Sequence, residues 1–316
     1  MRSATLVAQA KVNLFLRVLA REAGGYHQIE TLFCRLTLGD EVRVRLTNGQ
    51  RSLDCAGIAM PRGGLGATEH NLAWRAALAF LDATRWTTGF AIEIDKRIPV
   101  GGGLGGGSAD AGGVLRALNA LAPSPLSAHE LLRLGTALGA DVPFLTQEAS
   151  PLALAWGRGD RLLPLPPLPA RACLLFAFSS GVATADAYRW LAEEPAPPAG
   201  SVAYRVDQLS RWEDVELMAY NEFERVVLPR HAIIRRVVEG LRHPQMRGVV
   251  PVALMSGSGA TVFALLARPS DAELAEDAQG QLVVAIGDEP TDEGVDEVMV
   301  LETETAAHVE PVRLAD

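Results

Sequence analysis

Between Pro99 and Leu121 the chain reads PVGGGLGGGSADAGGVLRALNAL, with six glycines in the seven positions 101–107. Glycine reaches positive φ at little cost and lets a ligand approach bare backbone. The residues that follow place Ala109, Val114, Leu115, Leu118 and Leu121 at helical spacing. Ser108 stands where an N-cap is expected. A glycine loop opening into a helix is an anion site, because unpaired N–H groups point outward and the macrodipole adds roughly half a positive charge. The stretch therefore reads as a phosphate cradle over Pro99, Val100, Gly101, Gly102, Gly103, Leu104, Gly105, Gly106, Gly107, Ser108 and Ala109. A flexible linker would be more polar and would not lie between a strand-like run and an amphipathic helix. The spacing Gly101-x-Gly103-x-x-Gly106 also fits a dinucleotide fingerprint, but Lys96, Arg97 and Pro99 separate strand from glycines. No Gly-Lys pair exists, so this is not a P-loop.

Phosphate chemistry also needs a group that handles a proton. Of 29 basic residues only Lys11 and Lys96 are lysine. A compact ammonium differs chemically from a guanidinium fork, so each lysine is a candidate for a role arginine cannot fill. Asp141 follows a helix-ending Gly139 and precedes Pro143, which is expected to force extended backbone. It is either a base projecting from a rigid turn or an Asp making a local turn contact. An ammonium about 4 Å from a carboxylate interacts by roughly 4 kcal/mol at an effective dielectric near 20. Lys11 placed there would keep Asp141 ionised. Ser108 caps the helix, coordinates a Mg²⁺, or does both. The turn 256–259 is a plain hairpin or a second wall of the phosphate site. Tyr26, His27 and Tyr188 lie in loops as packing residues or as a base-stacking set.

Rigid elements must hold these groups. Residues 5–20 read as a strand pair or one bent strand, and 29–47 as two strands joined at Leu38-Gly39-Asp40. A helix is expected over 72–84, a strand over 90–98, and a helix over 127–138 opened by the capping box Ser127/Glu130. The proline-dense stretch 164–169 is the best internal boundary. Beyond it come strands at 172–178, 250–254 and 261–266, and a short helix after 179. Helices are expected near 213–226, 231–241 and 271–278, and strand-like runs at 281–286 and 297–302.

With 316 residues, 48% hydrophobic, the chain is long enough for two domains. No apolar run reaches the ~18 residues of a membrane span, and no long apolar leader is present, so a cytoplasmic protein is expected. Cys34, Cys55 and Cys173 lack metal-type spacing and read as free thiols. The net charge of −9 sits at one end: residues 271–316 hold fourteen acids against one base. No basic, aromatic-interleaved patch marks a nucleic-acid binder.

The segments AKVNLFL (10–16), GGYHQIETLF (24–33), EHNLA (69–73), KRIPVGGGLGGGSADAG (96–112), GADVPF (139–144), TADAY (184–188), NEFE (221–224) and MSGSGATVFAL (255–265) stand in one order over 10–265. Together they resemble the galactokinase, homoserine, mevalonate and phosphomevalonate kinase (GHMP) superfamily, on the branch with a cytidine-diphosphate-linked methylerythritol acceptor. The resemblance implies an α+β fold in two domains, with a ribosomal-S5-like α/β domain over 1–163 and a ferredoxin-like domain over 164–305. It leaves 306–316 as a loose tail. It implies ATP with Mg²⁺, transfer to a 2-hydroxyl, and a place in the non-mevalonate route to isoprenoid precursors. Lys11 and Asp141 would be the catalytic pair, and Pro99 to Ala109 with Lys96 the ATP site. Tyr26 and Tyr188 would sandwich the cytosine, with His27 hydrogen-bonding its edge, Asn13 near the transferred group and Thr184 also binding substrate. Neither nucleic acid nor membrane is an expected partner. The chain departs from the family at Ala109, where a second hydroxyl residue is common, and in its longer acidic end. Other readings are a kinase for mevalonate or homoserine, a non-catalytic nucleotide binder, and a nicotinamide dehydrogenase.

Overall fold

A computed structural model describes residues 2–21, 27–179, 181–194, 204–271 and 298–315. Its first sheet is built on two long antiparallel neighbours, β1 (Ser3–Arg21) and β2 (His27–Thr47). Their register slips between Gln9 and Lys11, Asn13 and Phe15, and Val18 and Ala20. Bulges bend a strand and re-aim its side chains, so 5–20 is one bent strand. The two strands expected over 29–47 are also one. Gly39 faces β1, where a Cβ would lie 2.5 Å from Val7 Cγ1 and 2.8 Å from the Ala8 carbonyl oxygen. This glycine permits close strand packing and makes no reversal.

The bend in β2 splits its partners. After β3 (Arg51–Ala56) and α1 (Leu72–Thr84), β4 (Gly89–Asp95) pairs with Glu41–Thr47 of β2 and, in parallel, with β3. The helices α2 (Gly106–Leu121), α3 (Ala128–Leu138) and α4 (Val142–Thr146) come next. Then β5 (Leu152–Gly157) pairs with Ile29–Cys34 of β2, and β6 (Arg161–Leu165) turns back on β5. Helix α2 is the centre of this half: every residue from Ala109 to Leu118 is buried. Both hydrogen bonds of the expected capping box open α3.

The chain leaves the first sheet after Leu165, through residues 166–171, and begins a second with β7 (Ala172–Phe178). Next are α5 (Thr184–Glu193), α6 (Trp212–Met218), β8 (Tyr220–Asn221), α7 (Glu224–Val227) and α8 (Ala232–Leu241). The strands β9 (Val252–Met255), β10 (Val262–Leu265) and β11 (Val298–Glu304) complete an antiparallel sheet of order β11-β7-β10-β9. Side chains alternate between its faces. Leu175, Leu254 and Phe263 join the core of the first sheet, while Phe176, Met255 and Val262 pack with Ile234, Val237 and Leu241 of α8. Burial on both faces is why β7 reads as a continuous apolar run. The helix expected over 213–226 is interrupted by β8, which pairs with Phe15 and Leu16 of β1. The expected strand at 281–286 and all but the first residue of the helix at 271–278 lie outside the described residues.

The loose tail expected at 306–316 is corrected over the residues described. The strand β12 (Arg313–Ala315) pairs with Ser3–Thr5 at the edge of the first sheet. Gln9 holds the approach to it, donating to the His308 carbonyl at 3.2 Å and accepting from Glu310 N at 3.0 Å. The unpaired edge of β1 supplies what the acidic composition concealed. Among the described residues no helix is long and apolar enough to cross a membrane.

Candidate active site

The two halves face each other across a cleft of about 530 Å³ lined by Lys11, Asn13, residues 99–108, Asp141, Thr184, Tyr188 and Gly257. Its floor is the glycine loop. Gly105 takes the left-handed conformation (φ 74°) and is the N-cap of α2, three residues before the position expected for Ser108. The chain turns at the glycine, so Ser108 sits half-buried in the first helical turn with its hydroxyl not used as a cap. The first N–H groups of an α-helix have no partner within it, and here they belong to residues that line the cleft. Ala109 packs in the core instead.

The second Gly/Ser turn is both a hairpin and a wall. It joins β9 to β10, and it takes two successive loop carbonyls: Thr261 N donates to Gly102 O at 3.1 Å and Ser256 Oγ to Gly103 O at 2.9 Å. A Cβ at Gly103 would collide with the Ser256 carbonyl oxygen, and the residue has φ 79°. Only glycine fits that crossing. On its other side the loop is tied to β1, where Lys11 N donates to Leu104 O at 2.9 Å.

Lys11 and Asn13, two residues apart, share a face of β1 between bulges. The Lys11 ammonium lies 3.2 Å from Asp141 Oδ2 and donates to Asn13 Oδ1 at 2.9 Å. The Asn13 amide is oriented in turn. Thr31 Oγ1 gives its proton to the Phe15 carbonyl at 2.7 Å, so it must accept from Asn13 Nδ2 at 2.8 Å. Asp141 starts α4 with Pro143 in the first turn, so the proline opens a short helix where extended backbone is expected from the sequence. The Asp141 carboxylate makes no cap hydrogen bond and turns to Lys11. Residues 130 positions apart are thereby in contact.

Lys96 is placed differently. Buried under the loop, its ammonium bonds Asp110 Oδ2 at 2.7 Å and Asp40 Oδ2. Asp40 Oδ1 accepts from Arg97 N at 2.6 Å and Ile98 N at 2.8 Å. This cluster fastens the strand exit to α2 through Asp110. Burial opposes the Lys96 charge, but Asp110 and Asp40 more than offset it and raise its pKa. Burial pushes Asp110 up to about 7, with the Asp40 charge adding to it and Lys96 working against it.

Elsewhere on the cleft, Thr184 opens α5 and its hydroxyl lies 2.9 Å from Ser258 Oγ. Tyr188, one turn on, meets Phe223 edge-on at 4.9 Å and stacks with His27 at 4.1 Å and 15°. Burial, then the charge of Asp141, pushes its phenol up to about 12. His27 stands outside the residues lining the cleft, and Tyr26 lies outside the described residues. Sequence reasoning missed Thr31, Asp40, Asp110 and Thr261. Lys96, preserved among arginines, was the one signal pointing toward the buried carboxylates.

Residues 71–148 match the family described as "GHMP kinases N terminal domain". The chain is 39% identical over 287 residues to a 4-diphosphocytidyl-2-C-methyl-D-erythritol kinase of Pelobacter propionicus, covering 91% of this chain and 97% of the relative. It is 38% identical to the kinase of that name from Deinococcus radiodurans, with 87% and 88% covered. A crystal structure of 4-(cytidine 5'-diphospho)-2C-methyl-D-erythritol kinase superposes with TM-score 0.69 at 32% identity, covering 96% of this chain and 99% of the other. A homoserine kinase from Cytophaga hutchinsonii, 16% identical with TM-score 0.66 and 99% and 97% covered, shares the fold. With identity above one third along nearly the whole length, the chain belongs to the 4-diphosphocytidyl-2-C-methyl-D-erythritol kinase family of GHMP kinases.

Proposed function

We propose that this protein moves the γ-phosphoryl group of ATP to the 2-hydroxyl of 4-diphosphocytidyl-2-C-methyl-D-erythritol, in the cytoplasm, on the non-mevalonate route to isoprenoid precursors. The observation that carries the reading is the Lys11–Asp141 pair, 3.2 Å apart in the cleft that the glycine loop floors. Asp141 accepts the hydroxyl proton as the oxygen bonds to phosphorus and the bond to the ADP oxygen breaks. Lys11 pairs with that carboxylate and holds it turned toward the acceptor. The loop amides and the N-terminus of α2 take the phosphate charge, where most of the acceleration in phosphoryl transfer arises. Tyr188 supplies a face for the cytosine, with His27 beside it, and Thr184 and Asn13 border the acceptor.

Among the described residues no group of three or more His, Cys, Asp or Glu is placed to hold a metal ion. Mg²⁺ in phosphoryl transfer is commonly held by phosphates plus one or two protein oxygens, and the Ser108 hydroxyl in the first turn of α2 fits that need. Bound there, it would neutralise phosphate charge. Incubating the protein with ATP-Mg and, separately, the cytidyl acceptor, mevalonate or homoserine tests the reading by ³¹P NMR. A new phosphomonoester with the cytidyl acceptor alone is the expected result. Transfer to mevalonate or homoserine in its place overturns the assignment.

A further inference from the structure

Asn221, 1% exposed on β8, has every polar atom of its amide engaged. Nδ2 donates to the Met255 carbonyl at 2.6 Å and the Gly257 carbonyl at 2.8 Å, and Oδ1 accepts from Phe223 N at 3.0 Å. Three such bonds fix which way the amide faces. The two carbonyls flank the Ser256–Gly257 peptide on both sides. The N–H of that peptide donates to Asn13 Oδ1 at 3.1 Å, the same oxygen that receives the Lys11 ammonium. The turn also lies close to the lysine: a Cβ at Gly257 would stand 3.5 Å from Lys11 Nζ, an ordinary contact distance.

We propose that Asn221 is a positioning residue for phosphoryl transfer: it pins the Ser256–Gly257 peptide, which aims Asn13 Oδ1, which in turn sets the direction of the Lys11 ammonium. Nothing in this places Asn221 against a substrate. It acts from the second half of the chain on a pair in the first, and so makes the competence of Lys11 depend on how the two sheets are docked. The inference rests on the kinase reading above for its functional consequence, and on geometry alone for the linkage itself.

Two measurements test it. The chain has only two lysines, so protein labelled with ¹⁵Nζ-lysine gives two ammonium signals, assigned with Lys11→Arg. Asn221→Ala is expected to shift or broaden the Lys11 signal and leave that of Lys96 in place. An unmoved Lys11 signal overturns the proposal. This arm needs no substrate, so it decides the linkage even where the wild-type protein phosphorylates no acceptor, an outcome that instead sinks the kinase reading. The second arm is a double-mutant cycle on kcat with Asn13→Ala. Asn221→Ala alone is expected to lower kcat roughly tenfold, and by less than about twofold when Asn13 is already alanine, because residues acting as one unit are not additive. Losses that multiply overturn the proposal. Should Asn221→Ala not fold, Asn221→Ser, which keeps one donor, enters both arms.

Discussion

Lys11 and Lys96 are both buried and both paired with carboxylates, yet their surroundings differ. Lys11 meets one carboxylate at 3.2 Å, and the Asp141 side chain keeps 29% of its surface exposed on the cleft. Lys96 is enclosed by two, Asp40 and Asp110, whose side chains are no more than 3% exposed and which also bind or flank the loop backbone. Burial of the ammonium is common to both and so does not tell the two pairs apart. What separates them is whether the carboxylate has reach left over. Asp141 has an open side on the cleft; Asp40 is saturated by one lysine and two amides.

Replacing each lysine breaks the comparison most directly. Lys11→Met leaves Asp141 partly solvated, so the fold survives while kcat drops by roughly 10²–10⁴, the scale of a disabled proton-transfer group. Lys96→Met strands two carboxylates in the interior. It is expected to cost roughly 3–5 kcal/mol of stability in urea unfolding. A stable Lys96→Met protein with normal ATP binding would erase the distinction drawn here.

Titration sharpens it. Burial holds the proton on Asp110 up to about pH 7 in the folded chain, whereas the solvated carboxyl of the unfolded chain releases it at about pH 4. Between those values the native state holds the extra proton, so this group's contribution to stability falls as pH rises from 4 to 7 and is level above. Asp110→Asn removes that slope. The variant is expected to gain on wild type progressively over this window in unfolding experiments, and a constant difference would contradict the assignment. A smaller effect belongs to the acceptor side. Tyr188→Ala is expected to raise KM for the cytidyl acceptor by the ~1–3 kcal/mol of one stacked base and to leave KM for ATP alone.

The sequence spoke clearly where local chemistry decides structure. The glycine loop, the α3 capping box and the buried strand β7 follow from turn, cap and burial rules that operate within a few residues. It misled where a distant partner decides. Gly39 reads as a turn residue but is small because β1 passes against it, and the chain end at 313–315 reads as a tail until the edge of β1 is known. Ser108 reads as a cap because nothing local reveals that Gly105 turns first. Lys11 and Asp141 were each legible as unusual residues, but their contact depends on the register of β1 and the entry of α4. Thr31, which orients Asn13 and through it the lysine, carries no signal of its own in a strand of mixed composition.

The account stands or falls on Asp141 acting as the group that takes the acceptor proton. Asp141→Asn keeps the shape of the site and removes the charge, so kcat should fall by roughly 10²–10⁴ while the dissociation constant for ATP, read by calorimetry, stays within about threefold. Equal losses in turnover and ATP affinity would make Asp141 a structural residue, and turnover left intact would place the proton acceptor elsewhere.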